Sequence, residues 1–416
     1  MYIATSQVSY WRFLLRYEWI YNRIGVAVLN RKRKYNSLSK VHSTIHTQRS
    51  TWLAYSHNLE LPDLYIINRR EHRMTPKIFI TGGTGYVGGS VLHTIVTDHP
   101  EYEVTAFLRT VPPTFSTLYP NTRIVKGDYD SSDILTSEAS NADIVIHNGD
   151  SDHEPSLNAL IKGLLLPRST PGYLLHLSGT GITSDWASTS FLGRSNPKIW
   201  SDIHDLDEVR AIPDEALHRN TEKILHETAA KQGDRINIAV ICPPDIYGKG
   251  KGLGKTWSVF MPLFLREVKK MEGGRVFYYG EGTNARGWVH IDELMEIYLK
   301  VVEAAVAGGA GFGWNKEGYY FTGTQEHSQL TIANATAKVL ASHNMIKNTT
   351  PLQLSSLDRL DTMIDYPGFS KLGRYLYASN SRTRADRAEK LWGYRASAPG
   401  LLEVLEEEVL DAVQRF

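Results

Sequence analysis

From Lys77 onward, short runs of apolar residues alternate with amphipathic stretches along the chain. The apolar runs that predict strands are 77–81, 103–108, 122–126, 142–147, 173–177 and 237–242, and the amphipathic stretches that predict helices are 88–98, 133–138, 156–165 and 214–231. Apolar strands separated by crossover helices are typical of parallel sheets covered by helices on both faces. The pattern therefore predicts an α/β fold with a doubly wound parallel sheet.

A glycine-rich turn follows the first predicted strand, with the sequence Thr81-Gly-Gly-Thr-Gly-Tyr-Val-Gly88. In this spacing Gly82 permits a tight turn, Gly85 lets the backbone approach a phosphate, and Gly88 lets the next helix pack against the sheet. The alternative is a plain turn, but the position between a buried strand and an amphipathic helix favours a dinucleotide site of the Rossmann type. The residues expected to contact the pyrophosphate are Thr81, Gly82, Gly83, Thr84, Gly85, Tyr86, Val87 and Gly88.

Three residues beyond this turn are candidates for contact with the cofactor, and the first of them bears on which dinucleotide binds. Arg109 ends the second predicted strand, where a NAD-selective site usually carries Asp or Glu, and a cation there suits the 2′-phosphate of NADP. NADP is therefore the expected cofactor, NAD is left open, and the alternative for Arg109 is a solvated surface arginine. Asp128 either accepts from the adenine amino group or closes an Asx turn. Asn148 ends the fourth strand, at the carboxyl edge where ligands of such sheets gather.

Composition narrows the class of protein. Of the 416 residues, 42% are apolar and 22% charged, which fits a cytoplasmic enzyme that acts on a small molecule without a nucleic-acid or membrane partner. The single cysteine, Cys242, excludes an internal disulfide framework and a thiolate zinc cluster, and the fifteen histidines lack a metal-binding helix spacing, so no metal is expected. No apolar run approaches the ~18 to 20 residues of a membrane span. Whether the protein forms a homodimer is left open.

Residues 1–73 differ from the rest of the chain in charge. They hold twelve of the 46 Lys and Arg residues but four of the 45 Asp and Glu residues, which leaves the remainder with a net charge of −7. Three interpretations are open: a mitochondrial-type presequence, a nucleic-acid or nuclear-import segment, and a non-native extension from a wrongly placed start codon. We favour the third, because Met74 stands directly before the first predicted strand, and we place the presequence second.

The Thr-Gly-x-x-Gly-x-x-Gly form of the turn resembles that of the extended short-chain dehydrogenase/reductase superfamily, which includes NAD-dependent epimerases, dehydratases and NmrA-like proteins. The resemblance spans residues 75–416 and continues in Ser178-Gly-Thr-Gly181, Pro243-Pro-Asp-Ile-Tyr-Gly248, Arg286-Gly-Trp-Val-His-Ile-Asp292 and Lys390-Leu-Trp-Gly-Tyr394. It implies a Rossmann domain over 74–250 and a smaller C-terminal substrate lobe over 251–416, with residues near 275–325 returning to the sheet.

Active members of the superfamily use a Ser or Thr, a Tyr, and a Lys four residues after the Tyr. Lys223, followed by Glu227, resembles the family's Lys, which implies that Lys223 binds the nicotinamide ribose of the cofactor. In this register the tyrosine position holds Arg219, whose guanidinium stays protonated and is a poor acid–base catalyst. His218, on the same turn, is the candidate proton donor, and a purely structural histidine is the alternative.

Further site residues follow from the matching segments. Ser178 is expected to hold the reacting oxygen and Thr180 to contact the substrate, although a Ser-Gly-Thr-Gly turn can need both for backbone geometry alone. Pro243 resembles the proline of the loop beside the nicotinamide. Arg286 resembles an arginine that meets substrate phosphates in sugar-nucleotide epimerases, which implies an anionic substrate. The alternative is that this segment fills the core while Asp292 caps the next helix.

A basic segment, Gly248-Lys-Gly-Lys-Gly-Leu-Gly-Lys-Thr256, ends like a phosphate-binding P-loop, but the position of the first glycine is taken by Lys249. We therefore interpret it as a mobile loop over the cofactor. The leading hypothesis is an NAD(P)-binding oxidoreductase or epimerase-like protein that transfers hydride on an unknown small molecule. The alternatives are a non-catalytic NADP-binding redox sensor of the NmrA type, which the missing Tyr favours, and a tailoring enzyme whose proton comes from substrate or water.

Overall fold

The computed structural model describes residues 75–366 and 369–415, and the interpretations of residues 1–73 lie outside this part of the chain. The strands are β1 (Lys77–Thr81), β2 (Glu103–Leu108), β3 (Arg123–Lys126), β4 (Ile144–His147), β5 (Gly172–Leu177), β6 (Trp200–Ser201), β7 (Ile236–Cys242), β8 (Asp245–Tyr247), β9 (Phe277–Tyr279), β10 (Ala285–His290), β11 (Tyr319–Phe321), β12 (Gln325–Ser328), β13 (Leu352–Leu354) and β14 (Thr383–Arg384).

The helices are α1 (Tyr86–Asp98), α2 (Phe115–Leu118), α3 (Ser132–Asn141), α4 (Glu154–Leu164), α5 (Leu206–Arg210), α6 (Arg219–Gln232), α7 (Phe260–Lys270), α8 (Ile291–Val306), α9 (Gln329–Ser342), α10 (Leu357–Asp361), α11 (Leu372–Tyr377), α12 (Asp386–Trp392) and α13 (Leu401–Val413). Among the residues that the structure describes, no helix is both long and apolar enough to cross a bilayer.

Seven of the strands form one parallel sheet in the order β3–β2–β1–β4–β5–β7–β11. The chain runs outward from β1 to β3 and then returns to the other side of β1 with β4, so the direction of winding reverses between these two strands. The predicted α/β fold with a doubly wound Rossmann sheet is confirmed. Ligands of such sheets bind at the reversal, beyond the carboxyl ends of the strands.

The first strand shows why the sheet is covered on both faces. Ile78, Phe79 and Ile80 are each at most 1% exposed. Because side chains alternate along a strand, Ile78 and Ile80 pack in one core cluster with Val91 of α1, whereas Phe79 packs in another with Leu157 of α4. The carboxyl end of β1 is thereby fixed beside that of β4, with Thr81 paired to His147.

The C-terminal part of the chain builds a third core cluster next to two small sheets. Phe264 of α7, Phe277 of β9 and Tyr377 of α11 form an aromatic centre with ring centroids 5.1–5.4 Å apart. The small sheets have the strand orders β12–β10–β8 and β13–β9. Strand β11 lies outside this cluster and pairs in parallel with β7, so the chain returns to the central sheet after α8.

Candidate active site

The glycine turn between β1 and α1 is a cradle without room for side chains. The Gly85 N–H donates to the Gly82 carbonyl at 2.8 Å, and Gly82 has a φ of +73°. A Cβ placed on Gly82 would lie 2.2 Å from the Asn148 carbonyl oxygen, and one placed on Gly88 would lie 2.3 Å from the Gly82 carbonyl oxygen. The first turn of α1 carries no acidic residue, so its free N–H groups present a positive end to an anion.

A buried amide group, that of Asn148, lies beside the glycine turn directly after β4. The Asn148 side chain accepts a hydrogen bond from the Tyr298 hydroxyl at 2.7 Å, which orients the amide group. Its Nδ2 is buried and has no hydrogen-bond partner within the described residues. An unsatisfied buried donor costs roughly 1–3 kcal/mol, which a ligand acceptor recovers. The turn and Asn148 together therefore fit a dinucleotide.

The basic segment 249–256 packs on this turn. The backbone N–H of Lys255 donates to the Thr84 carbonyl at 3.0 Å, and that of Lys251 donates to Ser90 Oγ at 3.1 Å. The Tyr86 hydroxyl donates to the Gly248 carbonyl at 2.6 Å. These bonds attach the segment, which the sequence predicts to be a loop over the cofactor, to the glycine turn and to α1.

The two residues expected near the adenosine half lie beyond β2 and β3. Arg109 is exposed directly after β2, with its charge close to the Tyr129 side chain. The Ser131 hydroxyl donates to Asp128 Oδ1 at 2.8 Å, and the backbone N–H of Asp128 donates to Ser131 Oγ at 3.1 Å. The hydrogen bond from Ser131 lowers the pKa of Asp128. Asp128 thus closes its own turn, and Arg109, at the carboxyl end of β2, forms no hydrogen bond or ion pair with the other described residues.

Ser178, at the end of β5, is committed to a buried carboxyl group. Its hydroxyl donates to Glu222 Oε1 at 2.5 Å, and the Tyr319 hydroxyl donates to the same oxygen at 2.9 Å. Burial raises the pKa of Glu222 to about 6, although these two hydrogen bonds act in the opposite direction. The Ser178 hydroxyl therefore points into the interface between α6 and the sheet.

His218 stands directly over the segment that follows β5. It is the N-cap residue of α6, with φ 64° and ψ −2°. Its Nδ1 lies 2.9 Å from Asp152 Oδ1. On the other side of the ring, Nε2 would lie 3.0 Å from a Cβ placed on Gly179 and 3.2 Å from one placed on Gly181. Thr180, between these glycines, is buried, and its N–H donates to the Pro243 carbonyl at 2.9 Å.

Lys223 is not brought to this cluster. Its Nζ lies 2.6 Å from Asp214 Oδ2, and its side chain is 48% exposed. On a helix, residues four apart share a face, whereas consecutive residues lie about 100° apart. Glu222, which accepts from Ser178, therefore lies on the face of α6 toward β5 and Lys223 does not, which differs from the position expected for Lys223 beside the nicotinamide ribose.

Arg286 is also placed differently from the expectation. The residue is buried, and its Nε donates to Asp245 Oδ2 at 2.6 Å. A second nitrogen donates to the Tyr375 carbonyl at 3.0 Å and to Ser379 Oγ at 3.2 Å. Burial by itself lowers the pKa of Arg286, but the Asp245 carboxylate raises it overall. The charge expected to meet substrate phosphates is thus neutralised within the protein.

The helix after this segment is capped by a different residue from the one expected. His290 is the N-cap of α8, and its Nδ1 accepts from the Asp292 N–H, while the Glu293 side chain accepts from the His290 N–H. Asp292 instead forms an ion pair with Lys251 at 2.8 Å. The basic segment is therefore held to α8 as well as to α1.

Comparison with known proteins agrees with this architecture. A family model described as the NAD dependent epimerase/dehydratase family matches residues 216–315. The chain is 30% identical over 351 residues to a protein named Oxidase ucsJ from an Acremonium species, with 80% of this chain and 96% of that protein covered. The chain belongs to the extended short-chain dehydrogenase/reductase superfamily.

Solved structures with the same extended short-chain fold are more distant in sequence. A dTDP-glucose 4,6-dehydratase from Bacillus anthracis in complex with NAD has 13% identity and a TM-score of 0.52, with 82% of this chain and 97% of that chain covered. A UDP-glucose 4-epimerase from Thermotoga maritima with UDP-glucose has 16% identity and a TM-score of 0.52, with 82% and 99% covered. At these identities the likeness concerns the fold.

Proposed function

We propose that this protein is an NAD(P)-dependent oxidoreductase that transfers hydride between the cofactor and a carbon that carries a hydroxyl or carbonyl oxygen. The observation that carries the proposal is the position of His218, whose Nε2 faces residues 179–181 at the same carboxyl edge of the sheet as the glycine cradle. An imidazole, the side chain most often used as a general acid or base, is thereby next to a dinucleotide site.

The cofactor is held by backbone and amide groups. The unpaired N–H groups at the start of α1 would hold the pyrophosphate, and Asn148 Nδ2, which lacks a protein partner among the described residues, would donate to it or to the adjoining ribose. The bound dinucleotide supplies or accepts the hydride. Arg109 favours NADP over NAD, because its exposed guanidinium follows β2, where the 2′-phosphate of NADP lies in Rossmann sites. The bacterial dehydratase structure, in contrast, contains NAD.

His218 serves as the acid–base group at the substrate oxygen. In the direction of reduction, Nε2 donates a proton to the carbonyl oxygen, and in oxidation it accepts the hydroxyl proton. Ser178 is a poor candidate for holding that oxygen, because its hydroxyl already donates to Glu222. Thr180 is better placed, since it lies between the two glycines that His218 faces.

The substrate is a small molecule without a diphosphate. The epimerase structure contains UDP-glucose and the dehydratase is named for dTDP-glucose, but here Arg286 is paired with Asp245 and its remaining donors bind Tyr375 and Ser379. An arginine neutralised in this way offers little attraction to a phosphate. The relative named an oxidase also supports redox chemistry for this chain.

A second candidate is a non-catalytic NADP-binding redox sensor of the NmrA type. It is favoured by the surface position of Lys223 and by the buried Glu222, since neither matches the pair that active family members use. In that case the cradle holds the cofactor and the rest of the protein reports its redox state to a partner.

Two assays on the full chain separate these functions. Fluorescence titration measures NADPH and NADH affinity, and absorbance at the reduced-nicotinamide band follows NADPH oxidation against a panel of aldehydes and ketones. We expect micromolar or tighter NADPH binding and turnover of at least one carbonyl, with His218→Asn losing turnover but not binding. Tight binding without turnover of any carbonyl contradicts the oxidoreductase and supports the sensor. Absence of binding contradicts both.

A further inference from the structure

We infer that Asp152 and His218 form a carboxylate–imidazole pair, in which Asp152 is the positioning residue that fixes the proton on Nδ1 and leaves Nε2 free to exchange the substrate proton. The inference rests on the proposed function and deepens it. It assigns to the loop after β4 a role that neither the sequence pattern nor the family register indicated.

The loop after β4 is tied to the start of α6 by three side chains. His218 Nδ1 lies 2.9 Å from Asp152 Oδ1 and, at the longer distance of 3.3 Å, from Ser151 Oγ. The Thr221 hydroxyl donates to the Ser151 carbonyl at 2.6 Å, and Asn220 Nδ2 donates to the Asp152 carbonyl at 2.9 Å. The backbone of this loop is therefore held against the start of α6 at both Ser151 and Asp152, while the Asp152 side chain itself is 47% exposed.

The chemistry of the two groups decides which ring nitrogen carries the proton. An ionised carboxylate only accepts hydrogen bonds, so the neutral imidazole donates its N–H from Nδ1 to Asp152, and the lone pair is on Nε2. That lone pair faces residues 179–181. In oxidation of an alcohol, the O–H bond breaks, its proton moves to Nε2, and the hydride leaves the same carbon for the oxidised dinucleotide. The imidazolium so formed is stabilised by Asp152, as in other carboxylate–histidine pairs.

The backbone of His218 supports a functional reason for this arrangement. A φ of 64° lies in the left-handed region, which few residues other than glycine adopt, although histidine is one of the side chains found there more often. Glycine or asparagine would occupy the position at lower conformational cost. Strained positions of this kind concentrate at functional sites, where the surrounding structure holds them. With this backbone conformation, the ring of His218 lies between Asp152 and the segment after β5.

A rival proton donor lies close to the same segment. The Tyr375 hydroxyl would lie 3.1 Å from a Cβ placed on Gly181, about as close as His218 Nε2. Burial raises the pKa of Tyr375, so its phenol keeps its proton more firmly than an exposed tyrosine. The experiment therefore includes Tyr375→Phe.

A measurement of the His218 tautomer tests the pair in the absence of substrate. In the full chain with ¹⁵N-labelled histidine, the His218 signals are assigned by their loss in His218→Asn, and their nitrogen shifts report which nitrogen is protonated. We expect the Nδ1–H form in the wild type and a shift of most of the population to Nε2–H in Asp152→Asn. Asp214→Asn is the matched control, because it removes the same charge near the start of α6 from a carboxylate paired with Lys223. Equal tautomer populations in the wild type and Asp152→Asn overturn the inference.

Kinetics with a carbonyl found in the NADPH assay test the role of the pair. We expect Asp152→Asn to lower kcat at least 10-fold with unchanged NADPH affinity, Asp152→Glu to recover part of the loss, and Asp214→Asn to retain wild-type rates. A loss of turnover in Tyr375→Phe together with full activity of Asp152→Asn overturns the inference. A tautomer shift in a protein that turns over no carbonyl supports the pair and contradicts the proposed function, so the two failures are distinguishable.

Discussion

The buried pair of Asp245 and Arg286 gives a quantitative test of why this protein differs from its sugar-nucleotide relatives. The two side chains are 13% and 5% exposed, and the arginine donates to both carboxylate oxygens. Removing one partner of such a pair leaves a buried charge uncompensated, which costs about 3–5 kcal/mol. In Asp245→Asn the amide oxygen can still accept one bond, and Arg286 keeps Tyr375 and Ser379, so we expect the lower end, about 3 kcal/mol.

Urea unfolding followed by circular dichroism measures this loss in free energy of unfolding. The matched control is Glu227→Gln, which removes a carboxylate from the exposed pair with Lys231 and is expected to cost no more than about 0.5 kcal/mol. A double variant, Asp245→Leu with Arg286→Met, removes both charges and is expected to be closer to wild type than Asp245→Asn.

Two results would refute the reasoning. If Asp245→Asn is as stable as Glu227→Gln, the two side chains do not form the buried pair described. If the wild-type protein binds UDP or dTDP with micromolar affinity and Arg286→Met abolishes that binding, the arginine is available to phosphates, and the substrate class proposed above is wrong.

Three further predictions concern the cradle, the cofactor choice and Glu222. Gly88→Ala places a Cβ 2.3 Å from the Gly82 carbonyl oxygen, so NADPH affinity measured by fluorescence falls at least 10-fold. Gly400→Ala, whose Cβ meets nothing closer than 3.4 Å, leaves NADPH affinity unchanged. Arg109→Ala weakens the binding of NADPH but not that of NADH, and an equal loss for both cofactors contradicts the 2′-phosphate role of Arg109. Lys223→Ala changes the affinity for neither cofactor, because Lys223 is paired with Asp214 on the surface. Burial raises the pKa of Glu222 from 4.5 to about 6, so the folded protein holds that proton more tightly, and wild-type stability falls as pH rises from 4.5 to 6. Glu222→Gln therefore gains about 2 kcal/mol relative to wild type between pH 4 and 7, and parallel pH profiles in chemical denaturation would show that Glu222 is not shifted.

The sheet and its glycine turn could be predicted from the sequence because their signals are local. Ile78, Phe79 and Ile80 form an apolar run at the centre of the strand, and the glycines follow at fixed spacing. Because the carboxyl ends of parallel strands lie at one edge of the sheet, the glycine turn after the first strand shows at which edge the cofactor binds.

The catalytic register could not be predicted because it depends on where α6 begins. A shift of one residue turns a helix by about 100°, which exchanges Lys223 for Glu222 on the face toward β5. The left-handed conformation of His218 sets this start, and nothing in the sequence around His218 marks it. Motif matching therefore found the helix and missed which face it presents.

The pairing of charged side chains also could not be predicted from the sequence. Asp152 is 66 positions from His218, and Asp245 is 41 positions from Arg286, so no local spacing connects them. The sequence shows that Arg286 is a cation in a family segment, but the carboxylate that neutralises it comes from a different strand, β8. Only the fold decides whether such an arginine faces a substrate or its own protein.

A crystal structure with NADP⁺ and a non-reactive carbonyl analogue bound tests the central claim most directly. The account predicts the pyrophosphate against residues 82–88, Asn148 Nδ2 bonded to the cofactor, and His218 Nε2 within about 3.2 Å of the analogue's oxygen beside C4 of the nicotinamide. A nicotinamide ring directed away from residues 179–181, or Lys223 turned inward to the ribose with His218 out of reach of the oxygen, would contradict it.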